Sequence, residues 1–126
     1  MEFTQADRLA VLKAARERIE DPSRWCRYSA LRNKDDKPIE HPPYDAAVQF
    51  SLDGAIMVEL AGRQIPDDEK DSFWDELETV AMATLSESEV RAVVDFGEKA
   101  IMLINDHQNH ERVLAFLDNL IAIYSN

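Results

Sequence analysis

The hydrophobic pattern is strongest in the last third of the chain, between Val90 and Tyr124. Apolar residues recur at three- and four-residue spacing over residues 90–104, and further apolar residues widen this face beyond a single stripe. A second apolar face of the same period runs from Val113 to Tyr124. Because only a short polar hinge separates the two runs, we expect two core helices that lie antiparallel as a hairpin, the first of them buried on more than one side.

Two segments in the first half also carry helical patterns. Thr4 begins the spacing of a capping box and is followed by apolar residues at helical intervals, which predicts a helix over residues 5–20. Asp45 is placed to cap a second helix over residues 46–60. Gly62 is expected to end that helix.

The acidic region that follows predicts a further helix. Asp71 or Ser72 is placed to cap it, and its apolar positions lie within residues 73–85. Ser86 and Glu89 then form a second capping-box spacing, which predicts the start of the central helix. Gly97 lies inside that predicted helix, where the lack of a side chain suggests a close crossing with a neighbouring helix.

The segment near residues 28–43 lacks a helical pattern. Three prolines within six residues exclude a helix at its end, and a hairpin that pairs residues 28–32 with residues 37–40 is an alternative to irregular structure. We therefore predict a mainly α fold: a compact bundle of four or five helices with a short irregular or hairpin segment near residues 28–43. The length favours a single helical domain over residues 1–126.

Charge divides the chain into two unequal halves. Residues 1–63 contain 10 basic and 11 acidic side chains, a net charge of -1, whereas residues 64–126 contain 4 and 14, a net charge of -10. Repulsion between this second half and phosphate groups argues against direct nucleic-acid binding. The basic residues near Trp25 and Tyr28 are largely balanced by acidic neighbours. Basic protein partners, or the first half of the chain itself, suit the acidic half better, and the alternative is that the charge only keeps helix faces soluble.

Compartment and anchoring are constrained by a few absences. The first eight residues are polar and charged, and no apolar run approaches the about 18 residues that would span a bilayer. Cys26 is the only cysteine, so it cannot form an intrachain disulfide. These features predict a cytoplasmic protein without a membrane segment.

Three short motifs resemble a known family. They are Asp21-Pro22-Ser23-Arg24-Trp25, Phe50-Ser51-Leu52-Asp53-Gly54-Ala55, and Ile104-Asn105-Asp106 with His110 and Val113-Leu114-Ala115-Phe116-Leu117-Asp118. Together they resemble a family of small bacterial and phage proteins, the domain of unknown function 6197. The resemblance spans most of the chain except about residues 64–86, and this chain has Phe50 or Ser51 where the family often has cysteine. It implies a helical single domain and carries no activity, substrate or cofactor.

The polar hinge between the last two helices is the best cluster of candidate ligands. Asp106, His107 and His110 offer a carboxylate and two imidazoles within five residues, which is the chemistry of a metal or small-ligand site. The structural alternative is that Asn105 or Asp106 ends one helix, Asn109 caps the next, and the histidines are surface or hydrogen-bonded residues.

Catalytic chemistry finds little support in the sequence. A Cys26 and His41 pair lacks an identifiable third group, no G-x-S-x-G motif occurs, and three glycines cannot build a phosphate-binding loop. We therefore predict no catalytic residues and no cofactor, and we expect a non-enzyme.

Two functional hypotheses remain. The first is a small acidic interaction or regulatory protein that binds a protein partner, one of basic character or a second copy, through a surface near residues 67–78. We call this surface the acidic face; it consists of Asp67, Asp68, Asp71, Trp74, Asp75 and Glu78. The alternative is a small-ligand or metal-binding module that uses the Asn105–His110 corner, with Trp25 and Tyr28 lining a pocket.

Overall fold

The computed structural model describes residues 2–126, and within them six α-helices and one antiparallel pair of strands form the regular structure. In chain order these elements are α1 (Gln5–Ile19), β1 (Leu31–Asn33), β2 (Ala47–Phe50), α2 (Leu52–Ala61), α3 (Asp67–Thr84), α4 (Glu87–Phe96), α5 (Ala100–His107) and α6 (His110–Tyr124). A 3₁₀ turn, Pro22–Arg24, follows α1. The mainly α class is confirmed. The expected four or five helices are six, because one predicted helix is divided in two.

Three of the predicted helix starts are confirmed by side-chain hydrogen bonds. Thr4 Oγ1 accepts from the N–H of Asp7 at 3.1 Å, and the Asp7 carboxylate accepts from the N–H of Thr4 at 3.0 Å. Ser86 and Glu89 form the same reciprocal pair at the start of α4. Asn109 Oδ1 accepts a backbone N–H at the start of α6. These caps satisfy N–H groups that have no partner within their own helix.

The continuous central helix predicted over residues 90–104 is wrong. α4 is followed by Gly97, which adopts the left-handed conformation with φ of 69° and ends the helix. α5 begins at Ala100, and there the Glu78 carboxylate of α3 accepts backbone N–H groups from Ala100 at 2.6 Å and from Ile101 at 3.2 Å. Gly97 lies in open space and not in the expected helix crossing.

Burial of the apolar run is confirmed only for its second part. No residue of α4 is buried, and Val94 and Phe96 are 71% and 80% exposed. α5 supplies the core instead, through Ala100, Ile101, Leu103 and Ile104. The break at Gly97 turns α4 outwards, which the spacing of its apolar residues does not reveal.

A strand replaces the start of the second predicted helix. β2 covers residues 47–50, and Phe50 pairs with Leu31 of β1 in an antiparallel register. α2 therefore starts later than expected, and its cap is Ser51 and not Asp45: Ser51 Oγ accepts from the N–H of Gly54 at 2.9 Å. Gly62 ends α2 as predicted.

The hairpin predicted near residues 28–43 is present in a shorter form. The N–H of Asn33 donates to Lys37 O, and the N–H of Ile39 donates to Leu31 O, both at 2.9 Å. Asp36 has φ of 60° at the tip. β1 therefore bonds to this returning segment on one edge and to β2 on the other.

One hydrophobic cluster joins the helices and both strands. α1 packs against α2 and α6, and α3 packs against α5. The largest buried side chains are Phe73, Leu12, Ile19, Leu31, Leu52, Ile56, Leu77, Ile104, Leu117 and Leu120. Within the described residues, no helix combines the length and the apolar character needed to cross a membrane.

Candidate functional site

The corner between α5 and α6 is organised by one buried amide. Asn105 is fully buried, and its Oδ1 accepts from Trp25 Nε1 at 2.7 Å and from the N–H of Leu52 at 2.8 Å. Its Nδ2 donates to Cys26 O at 3.0 Å and to Asp106 Oδ1 at 3.1 Å. Every hydrogen-bonding position of the amide is used. Asn105 therefore ties the loop after α1 and the start of α2 to α5.

Asp106 holds the backbone of the neighbouring loop. Its Oδ1 also accepts from the N–H of Tyr28 at 2.9 Å. Tyr28 has φ of 66°, a conformation that non-glycine residues seldom adopt, and its ring is exposed. The carboxylate thus stabilises a strained turn.

His110 and Arg27 both pack against the indole of Trp25. The His110 ring lies 5.3 Å from the Trp25 ring, and His110 Nε2 lies 2.5 Å from Ile19 O. A carbonyl oxygen only accepts, so Nε2 carries the proton. The Arg27 guanidinium lies 5.0 Å from the Trp25 ring, and Arg27 donates to Gln108 O. The His110 ring is therefore used for packing and hydrogen bonding within the fold.

The three predicted ligands therefore do not form one donor set. Asp106 and His110 bond to backbone groups, while His107 is exposed at the end of α5. Across residues 2–126, no three His, Cys, Asp or Glu side chains are grouped so that they could hold a metal ion. The arrangement suits the hydrogen-bonded alternative.

Cys26 is not placed for nucleophilic chemistry. The thiol is buried, donates to Ser29 O at 3.4 Å, and has its pKa raised to about 11 by burial. It is therefore protonated near neutral pH. His41 is exposed in the loop before β2.

The acidic face lies on α3, which begins one turn earlier than predicted. Its first residue is Asp67, with Pro66 at the cap position, so the predicted caps Asp71 and Ser72 lie inside the helix. Asp67, Asp68 and Asp71 are exposed, as is Asp75. Negative charge in the first turn is favoured there by the helix dipole.

Two other acids of α3, Glu69 and Glu76, face α1 and share one cation there. Arg8 lies 3.5 Å from Glu69 and 3.4 Å from Glu76. The Tyr124 hydroxyl donates to Glu76, and burial together with this bond raises the pKa of Tyr124. The expected pairing of the two halves of the chain therefore occurs at α1 and α3, and it leaves the acidic face outside.

Trp74 and Glu78 have different surroundings from the other members of the acidic face. Both are half-buried, and the Glu78 carboxylate caps α5. Trp74 lines a cavity of about 230 Å³ between α3 and α5. The cavity is lined by Asp53, Trp74, Asp75, Glu78, Lys99, Ile101 and Met102.

Sequence reasoning missed four residues of this cavity: Asp53, Lys99, Ile101 and Met102. Asp53 is one of two carboxylates on the largely apolar helix α2, the other being Glu59, and its Oδ1 accepts from Ser51 Oγ at 2.8 Å. Burial raises its pKa, and the nearby charge of Asp106 adds to this effect. The only sequence signal was a carboxylate among apolar residues. No residue near Asp53 in the sequence indicates that this side chain lies at the same cavity as Trp74.

Comparison with known proteins locates the chain within a family. The model of a family of unknown function (DUF6197) matches residues 4–123, and the match includes residues 64–86, which the resemblance was expected to leave out. No curated protein and no solved structure matches the chain. Two of the motifs that carried the resemblance meet at the Trp25 and Asn105 hydrogen bond.

Proposed function

Since the chain belongs to this family of unknown function (DUF6197), we propose that it is a small non-enzymatic protein that binds a basic protein partner through the acidic face of α3. The observation that supports this function is that the acids on one side of α3 are paired with a cation, whereas those on its other side are exposed. The acids that face α1 have cationic partners within the fold, whereas Asp68, Asp71 and Asp75 point to solvent without an ion pair among residues 2–126.

The excess charge favours a basic partner over other classes. With 25 acidic and 14 basic residues, the chain repels phosphate backbones and attracts cationic surfaces. Electrostatic attraction of this kind raises the association rate and weakens with added salt. Half-buried Trp74 lies among these acids and gives the surface an apolar contact, of the type enriched at the centres of protein interfaces.

A peptide titration tests this function. The probe is a fluorescein-labelled peptide of alternating arginine and glycine, and its affinity is measured at several salt concentrations. A triple variant, Asp67→Asn with Asp68→Asn and Asp71→Asn, removes three charges from the acidic face. We expect each lost charge to weaken binding by roughly two- to fivefold at low salt and to reduce the salt dependence.

The matched control removes three exposed acids elsewhere: Glu17→Gln, Glu40→Gln and Asp45→Asn. It has the same net charge as the first variant. Weaker binding by the acidic-face variant than by this control supports the proposed surface. Equal affinities for the two variants would show that only total charge matters. An affinity unchanged by salt would remove the electrostatic premise.

A further inference from the structure

We propose that the cavity between α3 and α5 binds one arginine side chain of the partner. This assignment rests on the proposed function and specifies its central contact. The cavity of about 230 Å³ is smaller than the about 300–1,000 Å³ of pockets that hold drug-sized ligands, so its size suits a single long side chain.

The lining of the cavity combines an apolar wall with carboxylates. Trp74, Ile101 and Met102 supply the wall, and Asp53 and Asp75 supply negative charge. Glu78 contributes less to a ligand, because its two oxygens are bound to the N–H groups at the start of α5. A long aliphatic stem that ends in a cation matches both parts of this lining.

Arginine fits the lining better than lysine. The guanidinium is planar and weakly hydrated, so it stacks on an aromatic ring such as Trp74 and binds a carboxylate with two parallel hydrogen bonds. Asp53 is already partly desolvated, which strengthens its attraction to a cation that enters the cavity. A lysine ammonium would lose more hydration at the same place.

Lys99 places a positive charge at the rim of the cavity, where it opposes an incoming cation. It lines the same cavity but is exposed, and within residues 2–126 its ammonium forms no ion pair within 4 Å. The cavity is therefore not neutralised by the fold itself. Lys99→Gln removes a positive charge from the rim and is expected to strengthen binding of an incoming cation by roughly two- to fivefold.

Nuclear magnetic resonance titration with single amino-acid amides tests the site. The probes are N-acetyl-arginine amide, N-acetyl-lysine amide and N-acetyl-citrulline amide, the last being a neutral isostere of arginine. Arginine amide should shift the Trp74 indole signal and the backbone signals of Asp53 and Met102 at millimolar concentration. Citrulline amide should leave them unchanged, and lysine amide should bind more weakly. Equal binding of arginine and citrulline, or of arginine and lysine, would overturn the assignment.

Variants separate the cavity from general electrostatics. Asp75→Asn and Asp68→Asn each remove one exposed charge from α3, but only Asp75 lines the cavity. Asp75→Asn should weaken arginine amide binding roughly two- to fivefold, with Asp68→Asn close to wild type. Met102 is half-exposed at the rim, so Met102→Trp should fill the cavity and abolish the change that arginine amide causes in the Asp53 backbone signal. Equal effects of the two aspartate variants, or no effect of Met102→Trp, would overturn the assignment.

Failure of this assignment differs from failure of the proposed function. One result is that the arginine-glycine peptide binds the acidic-face triple variant more weakly than its control, while the cavity variants bind arginine amide as wild type does. In that case the acidic face binds the partner but the cavity does not. If the peptide binds the triple variant and its control with equal affinity, the proposed function itself fails. A Met102→Trp variant that loses peptide binding as well as amide binding supports both.

Discussion

At the scale of single residues, the Asn105 side chain links α5 by hydrogen bonds to two segments that are distant in sequence, the loop after α1 and the start of α2. Its fully buried amide bonds to the side chain of half-buried Trp25 and to the backbone of Cys26 and Leu52. Buried polar groups that lose their partner pay the full penalty of desolvation. The corner between α5 and α6 is therefore stabilised by polar groups that would each be costly to bury alone but that hydrogen-bond to one another through Asn105.

Replacement of this amide should be strongly destabilising. Asn105→Ala leaves the Trp25 indole N–H, the Leu52 N–H and the Cys26 carbonyl without their partner, at about 1–3 kcal/mol for each buried group that water cannot reach. We expect a loss of at least about 3 kcal/mol in the free energy of unfolding, measured by urea denaturation. Asn119→Ala, on the exposed side of α6, is the control and should stay within about 0.5 kcal/mol of wild type. A loss below about 1 kcal/mol for Asn105→Ala would contradict the role of the amide.

Asp53 should give stability a definite pH dependence. Burial raises the pKa of its carboxyl in the folded state above the ordinary value of 3.8. Its contribution to stability is therefore complete below the unfolded-state pKa and is lost as pH rises through the folded-state pKa. Asp53→Asn should gain stability relative to wild type over this rise, with a constant difference at higher pH. Urea unfolding from acidic to neutral pH measures it.

The opposite sign is expected at the helix caps. The pKa of Glu89 is lowered by its hydrogen bonds to Ser86, so its contribution is present above the unfolded-state pKa and is lost as pH falls through the folded-state pKa. Glu89→Gln is therefore an internal reference for the direction of the Asp53 effect. A stability of Asp53→Asn that falls relative to wild type as pH rises would contradict the burial of that carboxylate.

At the scale of elements, sequence predicts what is decided within a few residues. The caps at Thr4 and Ser86 were predicted because donor and acceptor are three residues apart. Gly97 ends α4 locally, but the apolar spacing continues past it, so one helix was predicted. The separate start of α5 was missed because its Ala100 N–H is accepted by Glu78, 22 residues earlier. β2 was missed for the same reason, since its partner is Leu31. Apolar periodicity cannot report which distant group will satisfy a backbone N–H.

Helix α2 has a matched pair of glycines, Gly54 in its first turn beside the sheet and Gly62 at its end. A Cβ at Gly54 would overlap the backbone carbonyl of Ala30, whereas one at Gly62 would meet only ordinary contacts from 3.6 Å outward. Gly54→Ala should therefore cost about 1–3 kcal/mol or more, because backbone must move. Gly62→Ala should be neutral or stabilising by about 0.4–1 kcal/mol, because it restricts the unfolded chain. Thermal unfolding of both variants measures the contrast.

Equal stabilities for these two variants would show that the backbone at Ala30, just before β1, does not lie close to α2. This outcome would also question the placement of Ser51, whose N–H donates to the same Ala30 carbonyl at 2.9 Å. The contrast therefore tests the tertiary position of β2 as well as the local role of each glycine.

At the scale of the whole molecule, the candidate site combines residues of different predictability. The acids from Asp67 to Asp75 were predicted to be exposed because a charged helix face has few other places to lie. The cavity beside them was not, because Asp53, Lys99 and Met102 come from other elements and meet Trp74 only when α3 packs on α5. Surface charge is thus visible in the sequence, whereas the shape that selects one ligand depends on long-range packing.

The unbalanced charge should also make stability increase with salt. Only some acids of the second half have cationic partners such as Arg8, so repulsion among the rest acts against the compact state. Raising NaCl from about 10 mM to about 100 mM shortens the Debye length from about 30 Å to about 10 Å, which weakens this repulsion more than the close Arg8 pairs. We expect the free energy of unfolding in urea to rise by on the order of 1 kcal/mol. The acidic-face triple variant should gain less than wild type. A loss of stability with salt would mean that the ion pairs between α1 and α3 outweigh the repulsion, and that the exposed acids lie too far apart to act as one surface.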